Sequence, residues 1–301
     1  MKLTVIILTF NEKLHIERCI KSVQPLADRI VVIDSFSTDN TVAIAKALGA
    51  DVYQRKWKNY ADQCQWAIEQ CSASTEWLMR MDADEYLEPG LQNELAGLLA
   101  DPPQGIDGIY LKLKVFFYGK WIRYGGFYPF ILLRIWRNGK GHIEQRWMDE
   151  HVVLQPGSRT LTAQHDFVDD NLKGITFWIN KHNSYASREA VELLNYKYPL
   201  YPKDERIQAF DDPQARRKRW IKDRVYSRLP PYSRAFLYFF YRYGLRLGFL
   251  DGRFGFIWHF MQGFWYRLLV DVKVKEIETR SGGDVEKMKR ILREEHGIDL
   301  S

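Results

Sequence analysis

Three short runs rich in β-branched and apolar residues, Thr4–Thr9 (TVIILT), Arg29–Asp34 (RIVVID) and Glu76–Met81 (EWLMRM), are separated by stretches of helical periodicity. Between them, residues 14–23 and 41–48 carry apolar side chains at roughly helical spacing, each preceded by polar punctuation. Short apolar strands alternating with helices predict βαβ units around a parallel sheet. Ser37-Thr38-Asp39-Asn40-Thr41 offers several helix N-caps before VAIAKAL, and Gly49 offers a C-terminal stop.

In open α/β sheets, ligands sit beyond the carboxyl ends of the strands. That rule marks TFNE (9–12), DSFSTDNT (34–41) and DADE (82–85). Each by itself reads equally as a turn with helix caps; together, at successive strand ends, they define a candidate site. DADE poses a charge problem, because Asp82, Asp84 and Glu85 crowd the end of an apolar run. A divalent cation between carboxylates would resolve it. Mg²⁺ and Mn²⁺ prefer oxygen ligands and bind through one or two carboxylates plus substrate phosphates.

From about residue 105 the pattern changes. GIYLKLKVFFYGKWIRYGG alternates like strands, and FYPFILLRIWRNGKGHIEQRWMDEHVVL adds strand-like runs around a polar loop. HDFVDDNLKGITFWINKHNSYASREAVELL is mixed and ends as a helix. Residues 203–234 are strongly basic, with RRKRW at 216–220, and residues 235–270 are aromatic and apolar but broken by Arg, His, Asp and Gly. VEKMKRILREEHG reads as a short solvated helix. The expected organisation is a catalytic α/β domain over 1–200 and a helical, membrane-associating extension over 201–301.

A net charge of +6 and a pI near 9.0 imply an anionic partner: nucleotide, nucleic acid or anionic lipid. The three cysteines, Cys19, Cys64 and Cys71, have no metal-ligand spacing and no even-numbered framework, which points to a reducing cytoplasm. MKLTVIILTF is too short in its apolar part for a signal peptide, lacks a small-residue cleavage site, and reads as the first buried strand.

TVIILTFNE, then VVIDSFSTDNT, then WLMRMDADEYL, in that order, resembles the nucleotide-sugar half of the family 2 glycosyltransferases, closely over residues 3–90. WMDEHVVL, KGITFWINKHNSYASREA and GFLDGRFGFIWHF are similar to the subgroup that builds bacterial lipopolysaccharide core, capsule or exopolysaccharide. The resemblance implies a GT-A fold: a Rossmann-like nucleotide-sugar-binding sheet flanked by helices, here with the aromatic and basic helical extension. It implies that Thr9, Asn11 and Glu12 line the nucleotide pocket, that Asp34 binds the uracil or ribose end, that Asp82 lies near ribose and metal, and that Asp84 holds Mg²⁺ or Mn²⁺. Where many relatives carry an Arg-Asn pair before the metal motif, this chain has Gln63-Cys64-Gln65.

The family's single inverting displacement needs a general base. Trp147-Met148-Asp149-Glu150-His151 supplies two acids beside an aromatic, and Glu150 is favoured over Asp149. His165 is a candidate second metal ligand. Lys181-His182-Asn183 with Arg188 offers contacts to acceptor anions or donor phosphates, or a polar helix face. Arg242, Arg246, Arg253, Gln262 and Arg267 interrupt segment 235–270 too often for a membrane span. Aromatics and basics together fit an interfacial region, and aromatic core packing fits equally well.

The expected function is metal-dependent, inverting transfer of a hexose, UDP-linked, to a lipid-linked or lipopolysaccharide-type acceptor. The expected setting is the cytoplasmic face of the bacterial inner membrane, on its anionic surface, without nucleic acid. A sugar nucleotidyltransferase would carry a Gly-rich, Lys/Arg-containing phosphate loop after the first strand, which TFNEKLH lacks. A basic membrane-binding module would leave the acidic strand ends unexplained.

Overall fold

The β-branched runs become the central strands of one sheet. In the computed structural model, which describes residues 2–71, 75–144, 151–201 and 230–300, Leu3–Thr9 forms β1, Arg29–Asp34 β2, Asp51–Gln54 β3 and Trp77–Asp82 β4. Helix α1 (Ile16–Val23) connects β1 to β2, α2 (Thr41–Ala47) connects β2 to β3, and α3 (Tyr60–Glu69) connects β3 to β4. These four strands run parallel to one another. Every residue of β1 is buried, as continuous apolar strands covered on both faces must be. On α1, Ile16, Cys19, Ile20 and Val23 fall at helical spacing on the buried side.

Asp39, one residue before the N-cap Asn40, accepts the Thr41 N–H at the start of α2 through Oδ1 at 2.9 Å, and Gly49 (φ +82°) ends that connection in the left-handed region. Asn59 caps α3 by accepting the Asp62 N–H at 2.8 Å.

The next elements are β5 (Glu85–Leu87), α4 (Pro89–Ala100), β6 (Ile106–Phe117), β7 (Lys120–Ile122), β8 (Phe130–Arg137), β9 (Gly141–Ile143), β10 (Val152–Leu154) and β11 (Arg159–Asp170). The nine-stranded sheet runs β3-β2-β1-β4-β8-β6-β11-β5, with β7 on β6. Strand β8 is antiparallel to both β4 and β6, whereas β6 and β11 are parallel. The mixed α/β sheet flanked by helices agrees with the fold expected from the sequence. One core layer packs Ile6, Val31, Ile33 and Leu78 against Ala61, Cys64 and Ala67 of α3 and against Trp136. Each fully buried aliphatic side chain contributes about 1.5–3 kcal/mol.

These elements, to Leu172 and less Tyr124–Gly126, form one compact unit; Tyr124–Gly126 and the chain from Lys173 belong to a second. The second unit contains α5 (Ile175–Lys197), α6 (Ser233–Phe240), a π-helical turn (Tyr241–Leu245), a 3-10 turn (Gly248–Asp251), α7 (Gly252–Trp258), a second π-helical stretch (His259–Trp265), α8 (Tyr266–Ser281) and α9 (Val285–His296). Val191 and Leu194 of α5 pack on Ile277 of α8 and on Met288, Ile291 and Leu292 of α9. The C-terminal helix is therefore more than the solvated helix its charges predict: one face closes a core. Asp284 caps it through the Lys287 N–H at 2.8 Å, and Gly297 (φ +65°) ends it.

Candidate active site

The sheet register gathers the polar strand ends. Thr9 lies opposite Asp34 and Leu8 opposite Asp82, so the segments after β1, β2 and β4 emerge side by side. Backbone and side-chain bonds then lace the first two together. Asn11 adopts φ +54°, a conformation its short polar side chain tolerates. Its N–H donates to Ser37 Oγ at 2.8 Å, and its Oδ1 accepts the Thr38 N–H at 2.8 Å. The Glu12 N–H donates to Thr41 Oγ1 at 2.7 Å.

Asp34 is 0% exposed. Its oxygens accept from the Thr9 hydroxyl at 3.1 Å, the Ser37 N–H at 2.8 Å and Gln54 Nε2 at 3.1 Å, and from the Ser37 hydroxyl. A carboxylate offers about four lone-pair sites, so this one is filled from within the protein. Asp34 therefore fixes the shape of the loop that begins at Thr9.

At the end of β4 the three crowded carboxylates separate. Asp82 is half-buried and its Oδ1 accepts the Tyr60 hydroxyl at 2.7 Å. Burial pushes the Tyr60 hydroxyl well above its ordinary pKa, which keeps it a donor. Glu85 turns inward, buried at 3% exposure, where Oε2 accepts the Asp82 N–H at 2.8 Å and Oε1 meets Nη2 of Arg134. Burial pushes the Glu85 carboxyl well above the usual range, against the opposing pull of Arg134. Asp84 is buried, and its Oδ2 accepts Asn171 Nδ2 at 2.8 Å. Arg80, beneath Tyr60 at 4.9 Å from the ring centroid, stays charged: burial disfavours its cation, but Tyr60 and Asp82 hold its pKa above the ordinary value. Protein cations thus offset much of the charge, and Asp82 and Asp84 are left flanking the small Ala83.

The residues that end β11 tie the site together, and sequence reasoning missed them. Asp170 accepts Arg18 Nη1 at 2.8 Å. Asn171 holds Asp84. The Leu172 N–H donates to His15 Nε2 at 2.8 Å, so Nε2 accepts and Nδ1 carries the proton that faces Glu12 Oε2 at 2.6 Å. Tyr60, Gln54 and Arg134 were missed as well. Single polar residues in β3, α3 and β8 carry no local signal, because only the sheet order places them beside the strand ends.

His165 is not brought to these carboxylates. In β11, Asp169 pairs with Glu85 and Phe167 with Leu87, which leaves His165 further along the strand. There its Nδ1 lies 2.8 Å from Glu94 Oε2, and the same carboxylate accepts its N–H at 2.9 Å. Asp149 and Glu150 lie outside the described residues, as does RRKRW at 216–220. Where the Arg-Asn pair of relatives would stand, Gln63 is buried and accepts Arg55 Nη1 at 3.0 Å, Cys64 is core, and Gln65 Oε1 accepts the Ile143 N–H at 3.2 Å.

Among the described residues, no group of three or more His, Cys, Asp or Glu side chains is arranged to hold a metal by itself. The donor set fits the other kind of site, in which one or two carboxylates bind an ion that substrate phosphates complete. Asp82 and Asp84 meet that requirement, and Asn171 holds one oxygen of Asp84 in place.

The model of a family described as Glycosyl transferase family 2 matches residues 4–167. An uncharacterized glycosyltransferase of Rickettsia bellii is 42% identical over 103 residues, 34% of each chain. The lipopolysaccharide core biosynthesis glycosyltransferase LpsC of Rhizobium meliloti is 37% identical over 105 residues, 33% of this chain and 38% of that one. The matched segment thus spans about a third of these relatives' length. Among solved structures, glucosyl-3-phosphoglycerate synthase from Mycobacterium tuberculosis, in complex with Mn²⁺, UDP and glucosyl-3-phosphoglycerate, is 25% identical over 38% of this chain and 44% of that one, with a TM-score of 0.32.

Proposed function

The chain belongs to glycosyl transferase family 2, and from that premise we propose that it moves a hexose from a UDP-linked sugar to a growing bacterial envelope glycan, by inversion and with Mg²⁺ or Mn²⁺. The observation that carries this reading is the division of labour at the end of β4. Glu85 is turned inward to Arg134, while Asp82 and Asp84 lie at the carboxyl end of β4 beside Thr9 and Asp34, where Asp82 accepts the Tyr60 hydroxyl with Arg134 Nη2 at 3.8 Å and Asp84 accepts the Asn171 amide.

Asp84 would hold the metal, with Asp82 toward the ribose. A bound divalent ion supplies neutralisation of the charge that develops on the departing diphosphate. Asp34 orders the nucleoside end of the pocket, with Thr9, Asn11 and Glu12 along its wall. In the transfer, an acceptor oxygen bonds to the anomeric carbon as the bond to the diphosphate oxygen breaks. The acceptor's proton passes to a carboxylate, assigned to Glu150 with Asp149 as the alternative.

The likeness to the Rhizobium lipopolysaccharide core glycosyltransferase supports a lipid-linked or lipopolysaccharide-type acceptor. The enzyme then works as a peripheral protein on the cytoplasmic face of the inner membrane.

Asp84→Asn keeps the side chain's size and its place beside Asn171 but removes the charge. It should abolish turnover and Mn²⁺-dependent UDP binding while the circular dichroism spectrum stays that of the wild type. Near-normal metal-dependent binding by the folded variant would remove the metal role from Asp84. A parallel screen of UDP-, GDP- and dTDP-sugars for Mn²⁺-dependent hydrolysis tests the donor.

A further inference from the structure

Among the described residues, no helix is long and apolar enough to cross a membrane. The polar residues that interrupt segment 235–270 nevertheless fold mostly inward. Arg242 is buried and its Nε donates to the Gly125 carbonyl at 3.0 Å. Asp251 is buried and accepts the Tyr124 N–H at 3.0 Å, and buried His259 lies 3.6 Å from it. Gly125 (φ +73°) is required there, since a Cβ would stand 2.2 Å from His259 Cε1. Arg234 donates to both oxygens of Asp271 at 2.9 and 3.0 Å, and Arg267 Nη1 to Glu189 at 2.6 Å.

With these groups paired inside, the outward face of α6, the two turns and α7 is apolar. Phe236 (60% exposed), Phe240 (59%) and Leu245 (71%) stand on it, with Leu250, Phe256 and Phe260. Aromatic rings meet across these elements. Phe239 lies 6.0 to 6.5 Å, centroid to centroid, from Phe256, Phe260 and Phe264, and Phe236 lies 6.3 Å from Phe264. Soluble monomers rarely leave an aromatic face of this kind in water. Arg246 and Arg253 are exposed on the same stretch, the Arg246 guanidinium lying over Gly126.

We propose that this face inserts into one leaflet of an anionic lipid bilayer, with Arg246 and Arg253 meeting the headgroups. Apolar burial beneath a basic rim is how interfacial helices bind lipid. A second copy of the chain fits less well, because an isologous contact would bring the same arginines into one buried patch. Insertion gives the proposed lipid-linked acceptor its meeting place, and to that extent rests on the transfer reading; the binding itself is measured with no sugar present.

The test is flotation with vesicles of phosphatidylcholine containing phosphatidylglycerol, for wild type and the Phe240→Glu/Leu245→Glu variant. Wild type should float with the vesicles and stay partly bound in salt of about 1 M, where charge attraction is screened to about 3 Å. The variant's partitioning should fall by about tenfold or more, since charged groups placed in the apolar face oppose its burial. Its donor hydrolysis should not change, so failed transfer chemistry and failed membrane binding are told apart. If the double variant does not fold, Leu245→Glu alone replaces it, and its partitioning should fall in the same direction. Equal flotation of wild type and the folded variant overturns the proposal, and so does complete release of wild type by salt. A lipid-free wild-type dimer that the variant dissociates, without vesicle binding, overturns it in favour of a second copy.

Discussion

Asp34 and Asp84 both end up buried at a strand end, yet their surroundings prepare them for different work. Asp84 Oδ2 accepts the Asn171 amide, and Asp34 receives Thr9, Ser37 and Gln54. Any nucleoside group that reaches Asp34 must therefore displace or share one of these donors, so the residue acts partly by holding Ser37 and Thr9 in place. Asp34→Asn presents an N–H where an acceptor is needed and leaves the loop's donors facing it. Losing a charged acceptor costs about 1.5–3 kcal/mol, so donor affinity should fall by about one to two orders of magnitude. Titration calorimetry with the UDP-sugar checks this, and an unchanged dissociation constant would remove Asp34 from nucleoside recognition. Arg134 pairs with Glu85 from a position 2% exposed, and among the described residues its Nε and Nη1 have no hydrogen-bond partner. That leaves its cation directed largely at the carboxylates.

At the scale of elements, β1, β2 and β4 were legible because parallel strands buried on both faces cannot be anything but short apolar runs. The polar segments beyond them were legible as strand ends brought side by side, although each by itself also reads as a turn with helix caps. Strand β11 was not. RTLTAQHDFVDD shows neither alternation nor an apolar run, because register shifts around Thr162–Asp166 break its pattern. With β11 went Asp170, Asn171 and Leu172, the residues that anchor Arg18, Asp84 and His15. Helix α5 was legible as a helix, but its polar cluster was ambiguous until His182 proved buried. The ring stacks on Trp178 at 3.5 Å between centroids, and its Nδ1 lies 2.9 Å from that residue's carbonyl. Burial, helped by Lys181, pushes His182 down from 6.5 to about 4. Above pH 6.5 the ring is neutral in both folded and unfolded chains. Between pH 6.5 and about 4 the unfolded chain takes up a proton that the folded one refuses, so stability is lost as pH falls. The full shift is worth on the order of 3 kcal/mol. Urea unfolding across that window should show wild type losing more stability than His182→Gln. Parallel losses in the two proteins would sink the assignment.

At the scale of the whole molecule, composition announced an anionic partner and an aromatic surplus without saying where either would be used. The structure divides them. The polar strand ends lie in the first unit, and the aromatic face of α6 and α7 lies in the second. Whether a side chain such as Arg242 interrupts an apolar face or hides beneath it depends on helix rotation, which short, broken helices do not encode in a clear period. The division makes donor binding a stability measurement on the first unit. A ligand that binds only folded protein stabilises it by about 2.7 kcal/mol at one hundred times its dissociation constant. For a unit of this size that corresponds to a rise of about 5 to 10 °C in the unfolding midpoint. Because Asp84 and the diphosphate share the proposed ion, the rise should need UDP-sugar and Mn²⁺ together, and Asp84→Asn should abolish it. Asp34→Asn should instead shift the donor concentration at which the rise appears. Scanning calorimetry with donor alone, metal alone and both decides the matter. A full rise with donor in the presence of a chelator would leave the carboxylates at 82 and 84 without a metal to share, and their crowding would then have to be explained by Arg134, Arg80 and Asn171 alone.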